Sequence, residues 1–346
     1  MFVKSWKGLY TEHLKAFTVE SDIMHSRFLI LSISILISSL LHAQDPETDS
    51  LKFQKFLTMV NANREQSYVT LGSGIGNLEP LILEAKLSPS YFFARNKKLW
   101  AVMVNPQVQV RILNEESLPI RNPSYRVYGT FFHELKFWQK TFLRKVFYDN
   151  ALWYGSYAHH SNGQDGPFYA NDSTQEVNFE DGNFSTDYLE VGIYTYRAMD
   201  LGENYFSIRG FRASLEYYPT AWYSEGLRDR YGSYRIFTSM GIVGPQRDLR
   251  RQGLMRWLQR SSLELKAGWI FGSMEGAAPL EASTRMIIDV YYKYYPSWFD
   301  EIAFFIRYYY GQDYYNIYFA KDELTNLSFG ITSNIMNFRQ AVKLFK

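Results

Sequence analysis

From about residue 79 the chain alternates apolar and polar positions with a period of two. Leu81, Leu83, Ala85 and Leu87 fall on one side, and Ile82, Glu84, Lys86 and Ser88 on the other. Val102, Val104, Val108, Val110 and Ile112 alternate with Met103, Asn105, Gln107, Gln109 and Arg111. The same pattern recurs around Leu263–Phe271, Met286–Tyr292 and Leu327–Ile335. Successive side chains of a β-strand point to opposite faces, so each run predicts a strand with one apolar and one polar face. Several runs reach the ~9–11 residues that a membrane-crossing strand needs. A soluble sandwich would show shorter strands with apolar faces packed on each other. The pattern predicts about twelve strands, at 67–76, 79–90, 98–113, 123–137, 144–162, 184–198, 204–219, 230–243, 256–272, 281–294, 298–311 and 323–338. The fold class is therefore all-β, an antiparallel transmembrane β-barrel of about twelve strands. An even count suits a closed barrel, which leaves no open edge in lipid.

Composition supports this. Aromatics make up 18% of the 346 residues, with 28 Tyr and 26 Phe, as expected where aromatic girdles mark two membrane interfaces. The net charge of +2 argues against a nucleic-acid partner, which calls for a basic patch or stripe. The chain has no Cys, which excludes disulfides, thiol catalysis and zinc–thiolate sites. Near the start, Phe28 to Leu41 is an apolar run behind His25 and Arg27, closing with Leu41-His42-Ala43. That is the form of a secretory signal peptide beginning at Met24, with residues 1–23 an over-extended start. Residues 44–66 are polar, lack the period of two, and read as a periplasmic extension with some helix. The barrel then spans 67–338 and a periplasmic tail 339–346. With the C-terminus in the periplasm, loops 114–122, 163–183, 220–229, 273–280 and 312–322 fall outside the cell. Short turns at 138–143, 199–203 and 295–297 fall inside. This asymmetry is usual for outer-membrane barrels. The turn at 244–255 is long for its side, and nothing in its residues explains why. Gly72-Ser73-Gly74-Ile75-Gly76 lacks the Lys-Ser/Thr of a phosphate loop and reads as hairpin or strand glycine.

The chemistry concentrates at Tyr157-Ala158-His159-His160-Ser161-Asn162-Gly163. Residues two apart in a strand share a face about 6.6 Å apart, so His159 and Ser161 sit together while His160 points into the lumen. A base beside a hydroxyl is the minimum device for nucleophilic acyl transfer. Across the 163–183 loop, Asp187, Leu189, Val191 and Ile193 share one face, and the apolar members must meet lipid. If His159 pairs with Asp187, then Tyr157 meets Leu189 and Ser161 meets Ser185. Orienter, base and nucleophile would line up on the outer wall. Of the three histidines behind the signal, His133 reads as a strand-end residue.

His159-His160-Ser161-Asn162-Gly163 resembles the H-x-S-N-G signature of the outer membrane phospholipase A family. Three further stretches are similar in order. Asn114-Glu115-Glu116-Ser117-Leu118-Pro119-Ile120-Arg121-Asn122-Pro123-Ser124-Tyr125 resembles its acidic-Ser-x-Pro-x-Arg segment. Asn183-Phe184-Ser185-Thr186-Asp187-Tyr188 sits where that family has S-x-S-W-N-R. Tyr310-Gly311-Gln312-Asp313-Tyr314-Tyr315-Asn316 resembles its last Gly-rich loop. The resemblance implies a calcium-dependent phospholipase A at the outer leaflet of the bacterial outer membrane, active as a reversible homodimer on phospholipid acyl esters. It implies Ser161 as nucleophile, His159 as base and the N–H of Gly163 in the oxyanion hole. Ser117, the carbonyl of Gln164 and Asn183, the last from a partner subunit, would be Ca2+ ligands. The family's orienting Asn is here Asp187, its Trp-Asn-Arg is Thr186-Asp187-Tyr188, and its partner-subunit Ser is Asn183. Those departures keep open a barrel of the same scaffold acting as a small porin or structural protein. In either case a lumen crowded by Tyr, Arg, Glu and Lys is expected.

Overall fold

The structure, a computed structural model, describes residues 49–333 except 73, 78–79, 96–98, 117–118, 172, 201–205, 223–224, 244–256, 258–259, 297, 300–301 and 316–322. The signal segment, Ser117, the 244–255 turn and the tail at 339–346 lie outside the described residues. Two units are distinguished, 1–50 with 96–98 and 51–95 with 99–346, and the fold described below is that of the second.

Its strands are β1 (Tyr68–Thr70), β2 (Ile75–Gly76), β3 (Leu81–Leu87), β4 (Tyr91–Arg95), β5 (Trp100–Leu113), β6 (Ser124–Glu134) and β7 (Asn150–Ser161). They continue as β8 (Tyr169–Asn171), β9 (Glu176–Val177), β10 (Ser185–Asp200), β11 (Phe206–Tyr217), β12 (Tyr234–Val243), β13 (Ser261–Phe271), β14 (Met286–Tyr294), β15 (Ile302–Gln312) and β16 (Glu323–Ser333). β8 and β9 form a separate hairpin. The others make one antiparallel sheet closed by β1 against β16, with Tyr68 opposite Thr332. β1 and β2 both pair with β16, and β3 and β4 both pair with β5. Each of these couples is one stave, which gives a closed barrel of twelve. Among the described residues no helix is long and apolar enough to cross a membrane.

Burial alternates as expected along most strands. In β3, however, a register shift between Leu81 and Leu83 turns Leu81 inward, alongside Glu84, and Ile82 outward, the reverse of the faces expected for Leu81 and Ile82. Along β5 every second residue from Ala101 to Leu113 is buried in the lumen. Outside, Val191, Ile193, Ile236, Leu263, Leu265, Ile306 and Phe329 are all exposed. That apolar band faces lipid. Tyr157, Tyr217, Tyr234 and Trp222 cluster near the end with the long loops, Trp257 and Trp298 near the other. These are the two aromatic girdles.

The lumen is filled, as expected, by charged and phenolic side chains. Arg111 donates from Nε to Glu84 (2.6 Å) and through both terminal nitrogens to Asp313 (2.7 and 2.9 Å). Its guanidinium lies 4.5 Å from the Tyr315 ring. This fork draws the segment after β15 into the loop-rich mouth. Arg212 and Tyr154 both donate to Glu190, and a Cβ at the lumen-facing Gly192 would collide with the Tyr154 ring at 2.4 Å. A cavity of ≈ 300 Å³ remains between these clusters, lined in part by Arg126, His160 and Arg235.

The other mouth differs from expectation. Helix α1 (Asp49–Ala62) forms where a partly helical extension was expected. Phe56, Met59 and Val60 pack on the lumen-facing Ala101, Met103, Phe132, Leu152, Tyr154 and Tyr194. Phe53, Phe56, Leu57 and Val60 follow i, i+3, i+4, i+7, which makes one apolar stripe. Several strand ends also move. The turn expected at 138–143 spans 135–149 and holds two 3₁₀ turns, with Trp138 buried and its indole N–H bonded to the Tyr148 carbonyl (2.8 Å). The strand expected to end at 90 pauses at Ser88-Pro89-Ser90 and resumes as β4, since Pro cannot donate to the ladder. The strand expected from 281 starts at Met286, after the short helix α2 (Ala282–Arg285).

Candidate active site

β7 is flanked by β6 and β10, and the two registers place every outward residue. Across β10, Ser161 lies opposite Ser185, His159 opposite Asp187 and Tyr157 opposite Leu189. Across β6, Ser161 lies opposite Tyr125, His159 opposite Val127 and Tyr157 opposite Gly129. The pairing agrees with the apolar pattern, which excludes a slip of one residue because that would turn Leu189 and Val191 inward.

His159 and Asp187 are joined: Nδ1 lies 3.0 Å from Oδ1. Both face outward, the imidazole about half exposed and the carboxylate less so. Asp187 Oδ1 also accepts a hydrogen bond from the Tyr157 hydroxyl at 2.7 Å. Occupation of Nδ1 leaves Nε2 as the nitrogen that can serve a hydroxyl. Ser161 is half-buried on the same face, but its Oγ accepts the N–H of Gly163 at 2.9 Å. Among the described hydrogen bonds none joins Ser161 to His159, so that expected bond is not formed here. Catalytic hydrogen bonds are commonly long before substrate binds.

Gly163 is fixed on two counts. Its φ of +69° is in the left-handed region, and a Cβ there would stand 2.9 Å from the Tyr125 ring. Asn162 ties the loop shut behind it. Its side chain donates to the Gly182 carbonyl (2.8 Å) and accepts from the N–H of Phe184 (3.0 Å) and of Gln164 (3.4 Å). The N–H of Asn183 reaches the Gly166 carbonyl (3.0 Å), bringing the segments of Gln164 and Asn183 side by side. The Asn183 Oδ1 is buried with no hydrogen-bond partner. Of the three expected calcium ligands, Gln164 and Asn183 lie in the two segments that the Asn183–Gly166 bond ties together within one copy of the chain, and Ser117 is outside the described residues. Among the described residues no group of three or more His, Asp or Glu is placed to hold a metal ion.

His160 is in the lumen, 3% exposed, with Nε2 2.8 Å from Ser124 Oγ. His133 is the penultimate residue of β6 and stacks on Phe131. Tyr157 shares the outward face of His159, as the strand period requires, and its bond to Asp187 is an addition to the residues expected at the site. Its odd number and its position two before His159 were the available signal.

Fold and wall together define an outer-membrane-type β-barrel with a hydroxyl, an imidazole and a carboxylate on its lipid side. The chain is similar in fold to outer membrane phospholipase A from Escherichia coli, with 11% identity, 80% of this chain and 96% of that one covered, and a TM-score of 0.50. It is likewise similar to the Salmonella typhi outer membrane phospholipase, solved as a dimer with bound calcium, with 12% identity, 78% and 90% covered, and a TM-score of 0.51. At such identities the likeness is one of fold. No family model matches the chain, and no curated protein matches it.

Proposed function

We propose that this barrel hydrolyses the acyl esters of membrane phospholipids at the outer leaflet of the bacterial outer membrane. The observation that carries the reading is the His159–Asp187 pair on the lipid side of the wall, two residues from Ser161. An exposed imidazole–carboxylate pair serves no packing purpose against lipid, where polar side chains cost free energy. Phospholipid esters lie at that interface.

Asp187 holds the Nδ1–H tautomer of His159. Nε2 takes the proton as Ser161 Oγ bonds to the ester carbonyl carbon. The tetrahedral intermediate collapses, and the lysophospholipid leaves with that proton. Water, deprotonated by the same nitrogen, then releases the fatty acid from Ser161. The Gly163 N–H lies at Ser161 Oγ, so an oxyanion on the attached carbon comes close to the same donor. The donor set suits calcium, which takes hydroxyl, amide and carbonyl oxygens. Ser117, the Gln164 carbonyl and Asn183 would hold the ion, with Asn183 supplied by the partner copy of a homodimer. When bound, calcium would add positive charge beside the oxyanion.

Purified protein in phospholipid–detergent micelles should release fatty acid in the presence of calcium and lose this on chelation. Release that is absent at every calcium level would refute the reading. The second reading is a non-catalytic barrel, favoured by the engagement of Ser161 Oγ with Gly163 rather than His159. It predicts no release.

A further inference from the structure

We infer that Tyr157 is a positioning residue of the proposed site: its hydroxyl fixes the Asp187 carboxylate so that one oxygen serves His159. This rests on the hydrolase reading above but can be tested apart from it.

The geometry is specific. Tyr157 and Asp187 are diagonal neighbours, because Asp187 pairs with His159 and Tyr157 with Leu189. A diagonal spans ~7–8 Å between strands, within reach of an aromatic side chain. The Tyr157 hydroxyl uses that reach on Oδ1, the same oxygen that meets His159 Nδ1 (2.7 and 3.0 Å). Its ring is steadied by an edge-on contact with Trp222 at 6.2 Å, and across β6 it faces Gly129, where a Cβ would have open space. So the ring packs loosely, while the hydroxyl has one defined acceptor.

The chemistry gives the hydroxyl a purpose. A carboxylate has two equivalent oxygens and a free rotation. On a half-wet wall it would sample orientations in which neither oxygen meets the imidazole. An O–H donor from the rung below removes that freedom. It also supplies a charge-assisted bond to an anion that faces lipid. An amide at 187 would offer only one acceptor oxygen, so the donor matters most when residue 187 is a carboxylate.

The test is Tyr157→Phe, which deletes the hydroxyl and keeps the ring, made alone and together with Asp187→Ala. Two readouts are taken in detergent micelles on the full chain. The first is phospholipid hydrolysis, resolved into kcat and KM. The second is the ring N–H resonance of His159 in histidine-labelled protein, assigned by its loss in His159→Ala. The inference expects kcat to fall about tenfold, equivalent to ~1.4 kcal/mol, with KM unchanged. It expects no further fall when the change is added to Asp187→Ala, and a shift of the His159 resonance in Tyr157→Phe. An unchanged kcat, or the same loss in both backgrounds, overturns it, since a packing role would not depend on Asp187. If the unaltered protein hydrolyses nothing, the enzymatic reading fails by itself. The resonance then decides this inference alone: a shift upholds the positioning of the pair, and an unmoved resonance overturns it.

Discussion

Replacing Arg111 by Met should destabilise the barrel by about 3–5 kcal/mol, the cost of breaking a buried ion pair from one side. The structure sets that magnitude. Arg111 makes three charge-assisted bonds, to Glu84 and to both oxygens of Asp313. At ~1.5–3 kcal/mol each the bonds alone would suggest more. Neither carboxylate is wholly abandoned, however. Glu84 keeps the hydroxyls of Tyr68 (2.7 Å) and Tyr314 (3.0 Å), and Asp313 keeps the N–H of Tyr315 (2.8 Å). The substitution therefore leaves two nearly inaccessible anions with neutral donors only. The assay is urea unfolding of the protein folded into phospholipid vesicles, followed by the fluorescence of the Trp residues of the barrel. Adding Glu84→Gln and Asp313→Asn to Arg111→Met should restore at least half of the loss by removing the stranded charges. A loss below ~1 kcal/mol would show that the network sits in a wet, screened lumen, as exposed pairs do, and would refute the reasoning. A triple variant no more stable than the single one would refute it equally.

Three further outcomes follow from the same structure. Val191→Arg, on the apolar band between β7 and β11, should cost up to about 2–4 kcal/mol in vesicles, and a neutral result would mean that this face does not meet lipid. Phe56→Ala should cost ~3–5 kcal/mol of the same unfolding free energy, because Phe56 is 2% exposed between α1 and the lumen wall; an effect below ~1 would mean that α1 is not docked. Asn183→Ala should raise the calcium concentration needed for half-maximal hydrolysis at least about tenfold, ~1.4 kcal/mol of lost ligation, and an unchanged requirement would remove Asn183 from the calcium site.

The staves were legible because lipid on one side and a polar lumen on the other impose a period of two on each strand. That same pattern fixed which residues of β7 and β10 face outward, Tyr157 and His159 with Leu189, Val191 and Ile193. A slip of two residues would keep those faces, so the His159–Asp187 register comes from the structure. The stripe of α1 was also present in the sequence, at Phe53, Phe56, Leu57 and Val60. Its destination was not, because the lower lumen becomes apolar only through Ala101, Phe132, Leu152 and Tyr194, on four different strands. The Arg111–Asp313 fork joins residues 202 apart and could not be read from either segment. The bond from Tyr157 to Asp187 escaped for another reason. Strand pairing lines up direct opposites, and this contact is diagonal. Ser161 is the subtler case: sharing a face with His159 puts the two within reach, but the turn at Gly163 presents a backbone N–H to the same oxygen first.

The most direct test of the central claim is covalent labelling of Ser161. A long-chain alkyl fluorophosphonate, which phosphonylates only an activated serine, is incubated with the folded barrel in micelles with calcium. The modified residue is then mapped by mass spectrometry. The account predicts one adduct, on Ser161, abolished by His159→Ala and reduced by Asp187→Ala. An unlabelled Ser161, or labelling that persists without the imidazole, would contradict it.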